Sequence, residues 1–383
     1  MDPIYLDNNA STRIAPEVFE AMLPYLTEIY GNPSSTHQMG TRTATGLKDA
    51  RGQAAAFLNC REAEITFTGC GTESNNTAIR GVLEANPEKR HIVTSTTEHS
   101  SVLSTCKYMT KLGYRVTHVG VDDGGQLDLG ELQDAITGDT ALVSLIWANN
   151  ETGGIFPMDA IVEIVKPYGI PLHVDAVQAA GKIPLDMAMT EVDLLSLSGH
   201  KLHAPKGVGL LFIRRGTRMN PLLYGGGQEK GRRSGTENVP HIVGFGKAME
   251  MGRDYLADGV EKTRKLRDRL EHEILSNIHN TRLNGVPELR LPNTSNISFE
   301  GIEGEAILLL MDEMGICASS GSACTTGAVE PSHVLKAMGV PPEIAHGSIR
   351  FSLSRYTTEE EIDSVLEELP PIIQRLSNLS AAG

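Results

Sequence analysis

The sequence predicts an α/β protein built on a mostly parallel central sheet covered by helices. Three observations lead to that class. From about residue 44 to residue 215, short Val-, Ile- and Leu-rich runs alternate with amphipathic stretches. The runs are continuous rather than alternating, as strands buried on both faces are. A polar cluster follows each of several runs, where a site would gather at the carboxyl ends of parallel strands.

The expected strands are Ile65–Thr68, His91–Ser95, Ala141–Ala148, Pro171–Asp175, Leu194–Ser198 and Val208–Ile213. Between them fall helices over Ala44–Leu58, Ser74–Glu84, Ser101–Leu112 and Asp159–Tyr168. A long helical stretch from about Pro240 to Ile278 is of the kind that links a large domain to a small one. After it come a strand (Asn293–Phe299), a helix (Glu303–Met314), a strand (Ser348–Leu353) and a last helix from about Glu359. Thr357 with Glu360 and Thr358 with Glu361 form overlapping capping boxes before that helix. Ile362, Val365, Leu366, Leu369, Ile373 and Leu376 give it an apolar face, and Pro370-Pro371 should kink or divide it. The predicted organisation is a large domain over 15–255 and a smaller α+β domain formed by 1–14 and 256–383.

Bulk properties narrow the function. The chain has 383 residues, 40% of them hydrophobic and 21% charged, which is ordinary globular composition. A formal net charge of -14 argues against a nucleic-acid surface. No apolar stretch is long enough to span a bilayer, and the acidic start Met1–Asp7 does not read as a signal peptide. The expectation is a cytoplasmic protein with no membrane or nucleic-acid partner. Five scattered cysteines without a Cys-x-x-Cys pair suggest neither a disulfide framework nor a metal site.

The richest segment is Ser196–Pro205, where Lys201 follows Ser198-Gly-His200 at the end of an apolar run. A lysine held where a buried strand opens into a tight loop is placed to lose its proton and condense with an aldehyde, although a surface lysine in a turn reads similarly. Gly69-Cys-Gly-Thr-Glu-Ser74 joins a strand to a helix. It is either a cradle for a single phosphate or a plain N-cap turn, and it lacks the spacing of a dinucleotide or nucleotide loop. Asp175, at a strand end, needs a partner: a pyridinium nitrogen or a structural cation. Gln178 would reach the same pocket. His99 could stack on a planar ring and shuttle protons, or be an ordinary histidine. Cys324 sits among small polar residues in Ala318–Ala328, as an accessible nucleophile or an incidental thiol. Arg350, opposite in alternation to Ile349 and Phe351, could grip a carboxylate or lie on a solvated face. Cys317 reads as the inert start of a strand.

Together these segments resemble the cysteine desulfurases of NifS type. These are pyridoxal-phosphate enzymes of the class V aminotransferase family, with the fold type I architecture. The resemblance runs from Tyr5-Leu-Asp-Asn-Asn-Ala10 through Cys70–Ser74, Trp147–Gly153, Asp175–Gln178, Ser198–His203 and Gly231–Asn238 to Ser319–Cys324 and Ser348–Ser354. One departure is Cys70-Gly-Thr72, where many relatives have alanine before the threonine. The resemblance implies that Lys201 forms a Schiff base with pyridoxal 5'-phosphate, Asp175 pairs with its ring nitrogen, Gln178 bonds the ring hydroxyl and His99 stacks on the ring. Gly71, Thr72, Ser198 and His200 would bind the phosphate, joined by Thr236 from the other subunit of a homodimer. Asn150 and Arg350 would hold the substrate L-cysteine.

The implied chemistry removes sulfur from L-cysteine. Lys201 would act as base at Cα, His99 would broker protons, and the Cys324 thiolate would attack the substrate sulfur. The products would be L-alanine and a persulfide, with the sulfur passed to an iron–sulfur scaffold protein, of the kind that serves nitrogenase. A housekeeping desulfurase or a selenocysteine lyase of the same family is the alternative.

Overall fold

A computed structural model of the chain describes residues 3–320 and 331–380. The first part of the chain runs β1 (Ile4–Tyr5), α1 (Pro16–Thr27), α2 (Gln38–Leu58), β2 (Ile65–Thr68), α3 (Gly71–Ala85), β3 (His91–Ser95) and α4 (Ser100–Lys111). Next come β4 (Arg115–Val119), α5 (Leu129–Ala135), β5 (Thr140–Ile146), α6 (Met158–Val165), β6 (Leu172–Asp175), β7 (Leu194–Ser198) and β8 (Gly209–Ile213). The remainder is α7 (Val239–Asp258), α8 (Val260–Asn277), β9 (Thr281–Leu283), β10 (Thr294–Phe299), α9 (Gly304–Glu313), β11 (Ile316–Cys317), α10 (His333–Ala337), α11 (Pro342–Ala345), β12 (Ser348–Ser352) and α12 (Glu359–Ser380).

Seven strands form one sheet in the order β2-β8-β7-β6-β5-β3-β4. The β4–β3–β5–β6–β7 pairings are parallel, and β8 runs antiparallel to both β7 and β2. The predicted mostly parallel sheet is therefore present, with its antiparallel part at one side. Its continuous apolar strands have a simple cause. In β8, Leu210 and Phe212 enter one core while Leu211 and Ile213 enter the core on the opposite face, and β3 divides Ile92 and Val93 in the same way. A third apolar cluster gathers Leu6, Leu270 and Ile274 of α8, Ile297, Phe299, Ile349, Phe351 and the α12 stripe. It packs on the antiparallel sheet β12-β10-β9, next to the short parallel pair β1–β11.

Three expectations about elements change. The long segment after residue 239 is two helices, α7 and α8, that meet at Gly259. The last helix continues through Pro370 and Pro371 as one element. Its apolar stripe, with Ile362, Val365 and Leu369 fully buried, keeps packing on the third cluster, and this burial offsets the hydrogen bonds the prolines remove. Of the overlapping capping boxes, the Thr358–Glu361 pair forms: Glu361 N donates to Thr358 Oγ1 and Thr358 N to Glu361 Oε2. Thr357 Oγ1 instead accepts from Ser354 N at 3.0 Å. The sequence gives no expectation for β1, α1, β4, α5, β9, α10 and α11. β4 is a half-exposed edge strand rich in polar residues, and α5 is only seven residues long, so neither carries a clear apolar period. Among the described residues, no helix is long and apolar enough to cross a membrane.

Candidate active site

The carboxyl ends of β6 and β7 and the first turn of α3 converge on a cavity of about 280 Å³. Asn9, Gly71, Thr72, Asn75, His99, Asn150, Asp175, Gln178, Ser198, His200, Lys201 and Arg350 all line it. Residues separated by more than 300 positions in the sequence, Asn9 and Arg350, thus meet where the N-terminal segment and β12 approach the strand ends of the large sheet.

Lys201 ends a single 3-10 turn, Gly199–Lys201, that begins as soon as β7 stops. The turn is closed by Gly199 N donating to Val208 O (3.0 Å) and Leu202 N to Gly199 O (2.9 Å). Its Nζ donates to the carbonyls of Asn9 (2.5 Å) and Ala10 (2.7 Å), so the N-terminal segment holds the amine at the cavity wall.

Asp175 is the last residue of β6 and is 3% exposed. Its Oδ1 accepts from Val177 N (3.0 Å) and its Oδ2 from Asn75 Nδ2 (2.7 Å). Among the described residues it makes no ion pair, so the structural cation left open by the sequence is not there. Asn75 also donates to Ser101 Oγ (2.8 Å), which lies 2.8 Å from His99 Nδ1. Because Ser101 N also donates to Nδ1 (3.1 Å), that nitrogen is an acceptor and the neutral ring carries its proton on Nε2. Burial pushes His99 below the ordinary imidazole range, with Lys201 and His333 adding to the shift against the pull of Asp175. His200 is pushed down to about 4, first by burial and then by Lys201 and Lys206.

α3 begins at Gly71, with Cys70 as its N-cap; Cys70 Sγ accepts from Glu73 N at 3.4 Å. A Cβ on Gly71 would lie 2.9 Å from Val177 Cγ2 and 3.2 Å from Ser198 Cβ. Glycine is therefore needed for the helix start to approach the β7 end. Arg233 ties its own loop to this turn through Glu73 (2.8 Å). Thr236, further along that loop, is exposed and does not line the cavity of its own chain.

Arg350 is 3% exposed on β12. Its Nη2 pairs with Asp7 (2.6 Å), its Nη1 donates to Asn150 O (3.0 Å), and its buried Nε has no partner among the described residues. It does not lie on a solvated strand face. Asn150 contributes its backbone carbonyl, which also accepts from Asn9 Nδ2 (3.2 Å). The preceding Asn149 shapes the turn by accepting from Glu151 N (2.8 Å) and Thr152 N (3.1 Å). Cys324 lies outside the described residues. Cys317 ends the short strand β11, half-buried, and burial raises its thiol above the ordinary range.

Several contributors were not singled out one by one in the sequence. Asn75 lies four residues after Gly71, so helical spacing brings both to one face of α3. Ser101 sits two residues after His99 at the start of α4. Asn9 and Asp7 belong to an N-terminal run whose place beside Lys201 has no local signal.

The sequence model of the family described as aminotransferase class-V matches residues 4–365. "Cysteine desulfurase 2" of Trichormus variabilis is 58% identical over 99% of this chain and 95% of its own length. "Cysteine desulfurase NifS" of Azotobacter vinelandii is 52% identical over 99% of this chain and 95% of its own. A solved structure titled "NIFS-LIKE PROTEIN" superposes with a TM-score of 0.92 at 42% identity, covering 98% of this chain and all of its own. Another, "SspA in complex with cysteine", gives a TM-score of 0.82 at 34% identity, covering 92% of this chain and 99% of its own. Proteins of this family depend on pyridoxal phosphate. The residues here fit that group: a buried carboxylate held among the described residues by N–H donors, a lysine amine at the same cavity, and a helix start whose close approach requires glycine. By sequence, fold and site chemistry, the chain belongs to the class V aminotransferase family and is a cysteine desulfurase of NifS type.

Proposed function

We propose that the chain acts on L-cysteine, releases L-alanine and leaves the sulfur on Cys324 as a persulfide, for transfer to an iron–sulfur scaffold protein. The observation that carries this reading is the meeting of Lys201, Asp175 and the α3 start around one cavity. Overall, the cysteine C–S bond breaks, an S–S bond forms to Cys324, and a hydrogen takes the place of sulfur on Cβ. The nitrogenase-type destination is supported by the likeness to the Azotobacter protein that bears the NifS name.

Lys201 would hold the cofactor aldehyde through Nζ, Asp175 its ring nitrogen, Gln178 its ring hydroxyl, and Gly71, Thr72, Ser198 and His200 its phosphate. When bound, pyridoxal phosphate supplies an electron sink that stabilises negative charge at the substrate α-carbon. Asp175 keeps the ring nitrogen protonated, because a buried carboxylate without a cation favours a positive neighbour. Lys201 Nζ takes the Cα proton. His99, at the cavity wall, carries its proton on Nε2 as a donor, since Nδ1 already accepts from Ser101 N. Arg350 grips the substrate carboxylate with Asn150 beside it; its Nε has no partner among the described residues, and each Nη nitrogen keeps a second N–H beyond its bond to Asn150 O or Asp7. Thr236 would reach the partner subunit's phosphate in a homodimer. We further read 15–255 as the large domain and 1–14 with 256–383 as the small one, a division supported by the separate third apolar cluster. The protein would work in the cytoplasm.

The test is to supply L-cysteine to the purified holoprotein, quantify alanine and map added sulfur by mass. Sulfur is expected on Cys324, and Cys324→Ala should bind cofactor yet form no persulfide. Continued sulfide release by that variant would reject the assignment.

A further inference from the structure

The turn after Gln178 carries an amine that the reaction outlined above does not use. Gly181 adopts φ +68°, and a Cβ there would lie 2.2 Å from Leu202 Cδ1, so only glycine lets the chain reverse at this point. The reversal, closed by Lys182 N donating to Ala179 O at 3.0 Å, carries the Lys182 side chain back to Gln178. There Lys182 shares a second, smaller cavity with Lys201.

We propose that Lys182 is a positioning residue: its Nζ, 2.8 Å from Gln178 Oε1, locks the Gln178 amide so that Nε2 is its only end turned toward the cofactor cavity. The other end of the amide agrees. Gln178 Nε2 donates to Asn9 O (2.9 Å), a carbonyl that can only accept and that also takes a bond from Lys201 Nζ. One carbonyl and one amine thus fix the amide from both sides, and Lys182, Gln178, Asn9 and Lys201 form a single chain of hydrogen bonds.

The surroundings support a role beyond packing. The charged and titratable groups that share its cavity or act on it are Lys201, His200, His203, Tyr255, Arg350 and Arg355, with no carboxylate among them. Burial pushes the Lys182 amine down to about 7, and the repulsion of Lys201 and Arg350 adds to it. A buried amine among cations is costly, and a hydrophobic side chain would fill the space at less cost. The inference rests on the reading of Gln178 as the partner of the ring hydroxyl. Losing that donor raises the proton affinity of the cofactor bound at Lys201.

The test is a pH titration of the visible absorption of the bound cofactor in wild-type, K182M, K182R, Q178L and K182M/Q178L holoproteins. The midpoint should rise by about 0.5–1 pH unit in K182M, the worth of one hydrogen bond. It should stay within about 0.2 unit in K182R, and the double variant should move no further than Q178L. A K182M midpoint equal to wild type, an equal shift in K182R, or additive shifts in the double variant would each overturn the inference. If K182M does not fold, K182Q replaces it and is held to the K182R criterion. A wild-type protein without a pH-dependent band would instead refute the Lys201 assignment, and the Lys182 inference with it.

Discussion

Replacing Asp175 by Asn separates the two readings that the sequence left open for this carboxylate. Both Asp175 oxygens accept: one from Val177 N at 3.0 Å, the other from Asn75 Nδ2 at 2.7 Å. An asparagine can keep the first bond, but its own NH2 must then face the NH2 of Asn75. The cost is one buried donor left unsatisfied, about 1–3 kcal/mol. Because no cation among the described residues pairs with Asp175, loss of its charge strands no opposite charge in the cofactor-free protein. The larger penalty of about 3–5 kcal/mol for breaking a buried ion pair should be absent. For the large domain the melting temperature should fall by about 2–6 °C, with the fold retained. Turnover should fall by about 100-fold or more, the usual scale for removing a preorganised electrostatic partner of the reacting group. Thermal unfolding of cofactor-free and cofactor-loaded D175N, together with alanine release from L-cysteine, measures both effects. A variant that turns over within threefold of wild type, or whose cofactor-free form unfolds as though a buried ion pair had been broken, would refute this account of Asp175.

Other substitutions probe the remaining parts of the site. Lys201→Ala should keep the secondary structure by circular dichroism and lose turnover, and activity retained in that chain would remove its proposed role. Arg350→Lys keeps a charge for Asp7 but loses the planar fork, so KM for L-cysteine should rise by about tenfold or more in steady-state kinetics while cofactor binding is preserved. Acidification should destabilise the fold through its buried neutral histidines. His173, held between Ser144 Oγ and Ser196 Oγ, is pushed down to about 3 by burial, and His91 down to about 4 by burial and then by Arg115. Below about pH 6.5 the unfolded chain binds protons that these folded rings refuse, so stability should fall from there toward pH 4 by about 1.4 kcal/mol per pH unit for each histidine. Urea midpoints measured across that range should show the slope, and His173→Asn should flatten it. An unchanged slope in that variant would exclude His173 as a source.

Much of the fold was legible because its signals are local. Continuous apolar runs such as Leu194–Ser198 and Gly209–Ile213 could only be strands covered on both faces, and the polar residues after them marked strand ends. Lys201, Asp175 and the Gly71 turn stood out for the same reason: a polar group immediately after a buried strand needs an explanation. At Pro370-Pro371 local backbone chemistry predicts a break, but the helix continues because the core on which its stripe packs is set by distant residues.

By itself, the sequence determined the fold class, the helix and strand periods, the family and the residue types that the chemistry needs. Each of these follows from neighbours along the chain or from an ordered set of motifs. The tertiary structure alone decided who partners whom. It brings Asn9 O to both Gln178 and Lys201, Asp7 to Arg350 and Lys182 to the amide of Gln178. Most of these contacts span well over a hundred residues, and even the four-residue step from Gln178 to Lys182 depends on a reversal at Gly181. Hydrogen bonds of about 3 Å across such separations are set by how the sheets and helices pack, and no periodicity along the chain encodes that.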